Sequence, residues 1–199
     1  MKILVVYCHP RNTSLTHEIS KKFILGLEDG GHNVEILDLY ESHFNPVLEE
    51  ENEPDWSTDR IVVTPDIKKE IDRMNRVDGL AMIFPVWWYG MPAMMKGYID
   101  KVWQFNYAYG NKKLPHDRIQ WIGLVGTKES QFKKRNYDSH LIHQLNIGIS
   151  QYSGIKNFQT NLLYGTLKSA PEDKEENIKK HLLTAYQLGL NYAEFTSEK

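Results

Sequence analysis

Gly79-Leu80-Ala81-Met82-Ile83-Phe84-Pro85-Val86-Trp87-Trp88-Tyr89-Gly90-Met91-Pro92 is the stretch whose reading decides the fold. Its first six residues form an apolar run without alternation, the pattern of a strand buried on both faces. Pro85 ends the run, and three aromatic residues in succession follow. After Pro92, residues Met94, Met95, Tyr98, Ile99 and Val102 recur at helical spacing. Pro92 is expected in the first helical turn, where its missing N–H costs nothing. Strand, aromatic loop and helix put the loop at the carboxyl end of a strand, where open α/β sheets bind ligands. Three aromatic residues there need a flat apolar partner, either a planar cofactor or another subunit.

Upstream, residues 2–7 are a second unalternating apolar run, expected as a central parallel strand. His9-Pro10-Arg11-Asn12-Thr13-Ser14-Leu15-Thr16 follows. Ser14 or Thr13 is a good helix N-cap, and Ile19, Phe23, Ile24 and Leu27 form one apolar helix face. Gly30-Gly31 stops that helix and residues 34–39 form the next strand, which completes a βαβ unit with a right-handed crossover. Residues 40–60 break the rhythm with a connection of about 20 residues, a length that is unusual unless it carries function. Its acidic tract, Glu49-Glu50-Glu51-Asn52-Glu53, reads as a solvated loop. Downstream, the pattern predicts a helix from Pro65 to about residue 76, a strand over 119–125, a helix over 137–150, a strand over 155–163 and an amphipathic helix over 174–195. Five strands alternating with five helices make a doubly wound α/β sheet of order 2-1-3-4-5, in one domain spanning residues 1–199.

Composition sets the outer limits. Apolar residues make up 41% and charged residues 25%, as in ordinary globular proteins, and the net charge of -2 leaves no nucleic-acid footprint. Cys8 is the lone cysteine and has no internal disulfide partner, which fits a reducing cytoplasm. No apolar run reaches the length of about 18 residues that a membrane-spanning helix needs. The sequence also shows no cluster with metal-ligand spacing. Five Trp and eleven Tyr suit a surface built for stacking or association.

In the predicted order, strands one and three are neighbours, so their carboxyl-end loops flank one crevice. N–H groups at the first helix N-terminus, with the hydroxyls of Thr13, Ser14 and Thr16, make an anion site suited to phosphate. A plain helix cap accounts for Ser14 equally well. His9 alone reads more readily as a hydrogen-bonded structural group. The aromatic loop alone reads as core or subunit interface. Phosphate cradle and aromatic shelf on one crevice together suit a flavin nucleotide. No Gly-x-Gly-x-x-Gly and no Walker lysine are present. A third loop, 126–132, enters the same rim. Lys133-Lys134-Arg135 beyond it is either a grip on the 2′-phosphate of NADPH or, the reading favoured, a solvated charge run.

With these residues in view, the sequence resembles the flavodoxin-like NAD(P)H:quinone oxidoreductases, including bacterial drug-activity-modulator and potassium-efflux ancillary members. His9-Pro10-x-x-Thr13-Ser14 matches the family's phosphate loop. Asp38-Leu39-Tyr40 with Phe44-Asn45-Pro46 matches the segment after the second strand. Phe84-Pro85-x-x-Trp88-Tyr89-Gly90-x-Pro92-Ala93-x-x-Lys96-Gly97 matches the flavin shelf, and Tyr107-Ala108-Tyr109-Gly110 an aromatic lid. The ordered matches span residues 1–132.

The resemblance implies a homodimer holding FAD or FMN, with FAD favoured, and ping-pong hydride transfer from NAD(P)H to a quinone. His9, Thr13, Ser14, Leu15 and Thr16 would contact the flavin phosphates and ribityl chain. Pro85, Val86, Trp87, Trp88, Tyr89 and Gly90 would hold the isoalloxazine, their amides facing negative charge on the reduced ring. Phe44, Tyr107 and Tyr109 would meet the substrate. Many relatives carry Thr-Thr-Gly-Gly in the third loop, where this chain has Leu124-Val125-Gly126-Thr127, leaving Gly126 and Thr127 as its ring contacts. Tyr137 and His140 are the candidates for a proton relay. Two other functions stay open: azo- or nitro-compound reduction, and a regulatory subunit docking on a membrane transporter. An electron-carrier flavodoxin is disfavoured, because such carriers are strongly acidic.

Overall fold

The computed structural model describes residues 1–55, 57, 63–167 and 174–197. Its sheet has five strands: β1 (Lys2–Tyr7), β2 (Asn33–Asp38), β3 (Gly79–Pro85), β4 (Arg118–Leu124) and β5 (Asn157–Leu163). All pairings are parallel and the order is β2-β1-β3-β4-β5, as expected. Each strand lies within two residues of its predicted bounds. The unalternating runs have their expected cause: β3 is buried along its whole length and β1 from Ile3 onward.

The helices are α1 (Leu15–Asp29), α2 (Pro65–Met74), α3 (Ala93–Val102), α4 (Glu129–Lys133), α5 (Tyr137–His143) and α6 (Lys174–Leu190). α1 and α6 cover one face of the sheet, where Phe23, Leu27 and Ala185 pack on Ile3, Val5 and Ile83. α2, α3 and α5 cover the other, where Ile67, Tyr98 and Leu141 join Leu4, Met82 and Trp121. Pro92 lies one position outside the expected first turn. Its backbone is extended (φ -60°, ψ 152°) while its carbonyl accepts the Lys96 N–H at 2.9 Å, so it caps α3.

Two further differences have physical causes. The helix expected over 137–150 changes pitch at Gln144 and continues as a π-helical segment, Gln144–Gln151. The Ser150 hydroxyl donates to the Leu145 carbonyl at 2.7 Å, five residues back, and accepts the buried Trp121 indole N–H at 2.9 Å. That side-chain bridge favours a five-residue step that hydrophobic periodicity does not encode. The long connection also docks on α3. Asn52 is buried in a 3₁₀ turn, accepts from Thr64 Oγ1 at 2.9 Å and offers its carbonyl to Gln104 Nε2 at 3.3 Å. Pro46 packs so closely on α3 that a Cβ at Gly97 would lie 2.2 Å from its carbonyl oxygen.

α1 and α6 meet backbone to backbone at Gly26 and Gly189. A Cβ at Gly26 would sit 2.1 Å from the Tyr186 carbonyl oxygen, and one at Gly189 2.1 Å from that of Phe23. Gly26→Ala must therefore push the helices apart, and urea unfolding should show a loss of about 3 kcal/mol, the upper end of overpacking costs.

A second expectation concerns acid. His116 is 2% exposed, donates from Nε2 to the Met74 carbonyl at 2.9 Å, and buries Nδ1 without a partner. Burial pushes its pKa below the ordinary 6.5, so protons bind the unfolded chain first. Its contribution to stability is complete above pH 6.5 and falls away as the pH drops through that value toward the lower folded pKa. Unfolding free energies between pH 8 and 5 should show this decline, and a shallower one in His116→Gln.

Candidate active site

Where the chain order reverses between β1 and β3, their following loops diverge to opposite faces and leave a cleft of about 470 Å³. The first loop is locked before any ligand arrives. Ser14 N–H donates to the Arg11 carbonyl at 3.2 Å, and Ser14 caps α1 by accepting the His17 N–H on its hydroxyl at 3.2 Å. The N–H groups of Leu15 and Thr16, in the first turn, have no intrahelical acceptor and both residues line the cleft. His9 Nδ1 accepts the Arg11 N–H at 3.1 Å, which leaves the proton of the neutral ring on Nε2. Burial first, and the Arg11 charge second, lower the His9 pKa.

The second loop is a tight hairpin in which Trp87 and Gly90 exchange both backbone hydrogen bonds at 3.0 Å. Its central residues, Trp88 and Tyr89, have φ of 49° and 61°, the pairing of a type I′ turn normally filled by Asn and Gly. Bulky residues there are strained by about 1–3 kcal/mol each. Tyr89 recovers part of this by stacking on Tyr137 (centroids 3.9 Å apart) and meeting Phe132 at 5.8 Å. Trp88 is 96% exposed. Trp87 sets its ring edge-on to His9 at 6.2 Å and so joins the first and second loops.

The site residues expected from the sequence divide as follows. His9, Ser14, Leu15, Thr16, Pro85, Val86, Trp87 and Gly126 line the cleft. Thr13 lines an adjoining pocket of about 730 Å³ with His17, Asp38 and Tyr40. Trp88, Tyr89 and Gly90 are outside the cleft lining; Tyr89 stacks on Tyr137, and His140 is exposed on the next turn of α5. Thr127 gives its carbonyl to the Gly165 N–H at 2.8 Å. The expected ring-facing amides are fewer than supposed. Those of Val86, Trp87 and Gly90 already donate to carbonyls of Leu124, Gly90 and Trp87, which leaves the Trp88 and Tyr89 amides.

The three substrate candidates lie outside the cleft of their own chain. Phe44 packs edge-on against Tyr98 at 5.4 Å, under the docked connection. Tyr107 is buried and its hydroxyl donates to Asn75 at 3.2 Å, just before β3 begins and therefore at the opposite end of the sheet. Tyr109 packs with Phe105 and Tyr152.

Sequence reading missed Arg11, Leu124, Thr166 and Leu167, which also line the cleft. The overlooked signal was Gly165, a turn glycine (φ 69°) directly after the last strand, where the chain re-enters the carboxyl-end rim. Cys8 is buried and, chiefly through burial, its thiol pKa is pushed up to about 12, so it is no nucleophile. Among the described residues no group of His, Cys, Asp or Glu is placed to hold a metal ion. No described helix is long and apolar enough to cross a membrane.

A parallel sheet of order 2-1-3-4-5 with a ligand cleft at its switch point defines the flavodoxin-like class. Residues 1–188 match the family described as having the flavodoxin-like fold. The chain is 33% identical over 184 residues to an uncharacterized NAD(P)H oxidoreductase of Escherichia coli K12, YcaK, covering 92% of this chain and 93% of that one. The solved NAD(P)H:quinone oxidoreductase from Methanothermobacter marburgensis superposes with a TM-score of 0.87 at 26% identity, over 99% of both chains. A glutathione-regulated potassium-efflux ancillary protein of Enterobacter sp. 638, KefF, is 30% identical over 132 residues, 65% of this chain and 64% of that one. The chain belongs to the flavodoxin-like NAD(P)H oxidoreductase family, and it is an oxidoreductase.

The strained turn makes its own prediction. Trp88→Gly removes a bulky residue from positive φ and loses little packing, so thermal or urea unfolding should show a gain of about 1 kcal/mol.

Proposed function

We infer that this oxidoreductase is a flavin-dependent NAD(P)H:quinone oxidoreductase working by a two-step, ping-pong route. The observation that carries the reading is one cleft lined both by Leu15 and Thr16, whose first-turn amides have no helical acceptor, and by Trp87 and Gly126. The fit is chemical. Helix-end amides and the Thr16 hydroxyl suit a phosphate, and a wall of Pro85, Val86 and Trp87 suits a flat ring. Bound there, FAD or FMN would supply hydride transfer from NAD(P)H and return of both electrons to a quinone.

The chain's own residues bind and orient. Ser14 holds the first turn, so that the Leu15 and Thr16 amides would be the groups to bind a phosphate. Trp87 and the Trp88–Tyr89 turn would screen one side of a bound ring from water, and the Trp87–Gly90 hairpin bonds fix where the remaining amides point. The Tyr137 hydroxyl, carried on a ring stacked against Tyr89, would hold or pass a proton; the stack supports this assignment by fixing the ring. A homodimer belongs to the same reading: the nearly full exposure of Trp88 provides an aromatic surface for a second copy.

Anaerobic spectroscopy tests the whole. Purified protein, supplied with FAD or FMN, should show flavin bands that bleach with NADPH and return on adding menadione; extraction names the flavin. Protein that takes up neither flavin overturns the reading. An azo dye replacing menadione tests the related acceptor class. Trp88→Ala should weaken flavin binding about tenfold while leaving the fold intact, the loss expected from about 1.4 kcal/mol of stacking. Tyr137→Phe keeps the stack and should lower turnover with unchanged flavin content. Similarity to KefF supports a second reading, a subunit docking on a membrane transporter, and co-purification with a channel partner is its test.

A further inference from the structure

Helix α6 lies outside the cleft, yet it turns two polar side chains onto the loop that walls it. His181 Nε2 donates to the Tyr164 carbonyl at 2.7 Å. Asn177 Nδ2 donates to the carbonyls of Tyr164 at 3.1 Å and Gly165 at 3.2 Å. From the other side of the same loop, the N–H groups of Gly165, Thr166 and Leu167 donate to the carbonyls of Thr127, Val125 and Gly126 at 2.8, 3.1 and 3.3 Å.

The two sets of bonds are linked by peptide geometry. A trans peptide is planar, so the C=O of one residue and the N–H of the next point in opposite directions. Drawing the Tyr164 carbonyl toward α6 aims the Gly165 N–H at Thr127. Drawing the Gly165 carbonyl the same way aims the Thr166 N–H at Val125. Such pins are needed here because Gly165 sits at φ 69° with no Cβ to restrict how its peptide planes swing. The consequence reaches the cleft floor: a Cβ at Gly126 would lie 2.7 Å from Leu167 Cδ1, so Leu167 rests on the third loop and both residues line the cleft. Burial lowers the His181 pKa and keeps its ring neutral, with Nε2–H as the donor.

We propose that Asn177 and His181 are positioning residues for the cofactor cleft, fixing the peptide planes of 164–167 and through them the seats of Gly126 and Leu167. The proposal rests on the flavin reading for its ligand, but the clamp itself is testable without one. Amide hydrogen exchange of the apoprotein should quicken at Gly165 and Thr166 in Asn177→Leu and His181→Phe, with β1 and β3 amides unchanged, and should return toward normal in His181→Gln, which keeps a donor. Flavin titrated into apoprotein should bind about tenfold more weakly to the first two variants, the scale of one lost hydrogen bond, with a shifted visible band. His181→Gln should recover most of the affinity.

Unchanged exchange at Gly165 and Thr166 in folded variants overturns the clamp. Quickened exchange with unchanged flavin affinity and spectrum overturns its link to the cleft. Wild-type protein that takes up no flavin, while exchange responds as expected, overturns the flavin reading and leaves the clamp supported. A purely structural role predicts loss of global stability with the visible band and these two amides unmoved.

Discussion

The pairing of β1 with β3 is the constraint on which the rest depends. Val5 pairs with Ile36 on one side and with Ala81 on the other, so the chain returns past its own first strand before it continues across the sheet. Because both connections are right-handed crossovers, α1 and α3 must leave the sheet on opposite faces. The loops that feed them diverge, and the gap between them is the cleft. No side chain makes that gap. It follows from strand order and handedness, and the side chains only furnish it.

What furnishes it is held with unusual firmness for a set of loops. A cap and a His–backbone bond lock the first, a two-residue hairpin the second, and a ladder to residues 165–167 the third. Aromatic rings then tie the loops together: His9 with Trp87, Tyr89 with Tyr137 and Phe132, and Phe132 with Tyr164. Rigid loops favour binding of any ligand in the cleft, since reorganisation on binding subtracts from affinity. The strained φ angles of Trp88 and Tyr89 fit the same account. Strain at a turn persists where other contacts outweigh it, here the paired Trp87–Gly90 backbone bonds and the Tyr89–Tyr137 stack.

Much of this was legible in the residues because local chemistry and global position agree. Continuous apolar runs mean parallel central strands, Ser14 means a cap, and loops at adjacent carboxyl ends mean one crevice. What the residues alone left open involves packing partners that a linear pattern does not name. Phe44, Tyr107 and Tyr109 were assigned by motif order, but packing against Tyr98, Asn75 and Tyr152 decides where their rings lie. The π-helical pitch over 144–151 comes from the bridge joining Ser150, Leu145 and Trp121. The wall at 164–167 was missed because its last member follows a strand whose contribution to the rim depends on how β5 registers with β4.

The sequence by itself determined the strands, their parallel arrangement and the switch point, because burial on both faces and crossover handedness leave few alternatives. It also determined the Ser14 cap and the aromatic loop. Tertiary structure alone decided which aromatic residues share the cleft, which amides remain free to face a ligand, and which α6 side chains steady its wall. Those outcomes depend on hydrogen bonds and ring contacts that the folded chain brings together, and a one-dimensional pattern records the groups but not the distances between them.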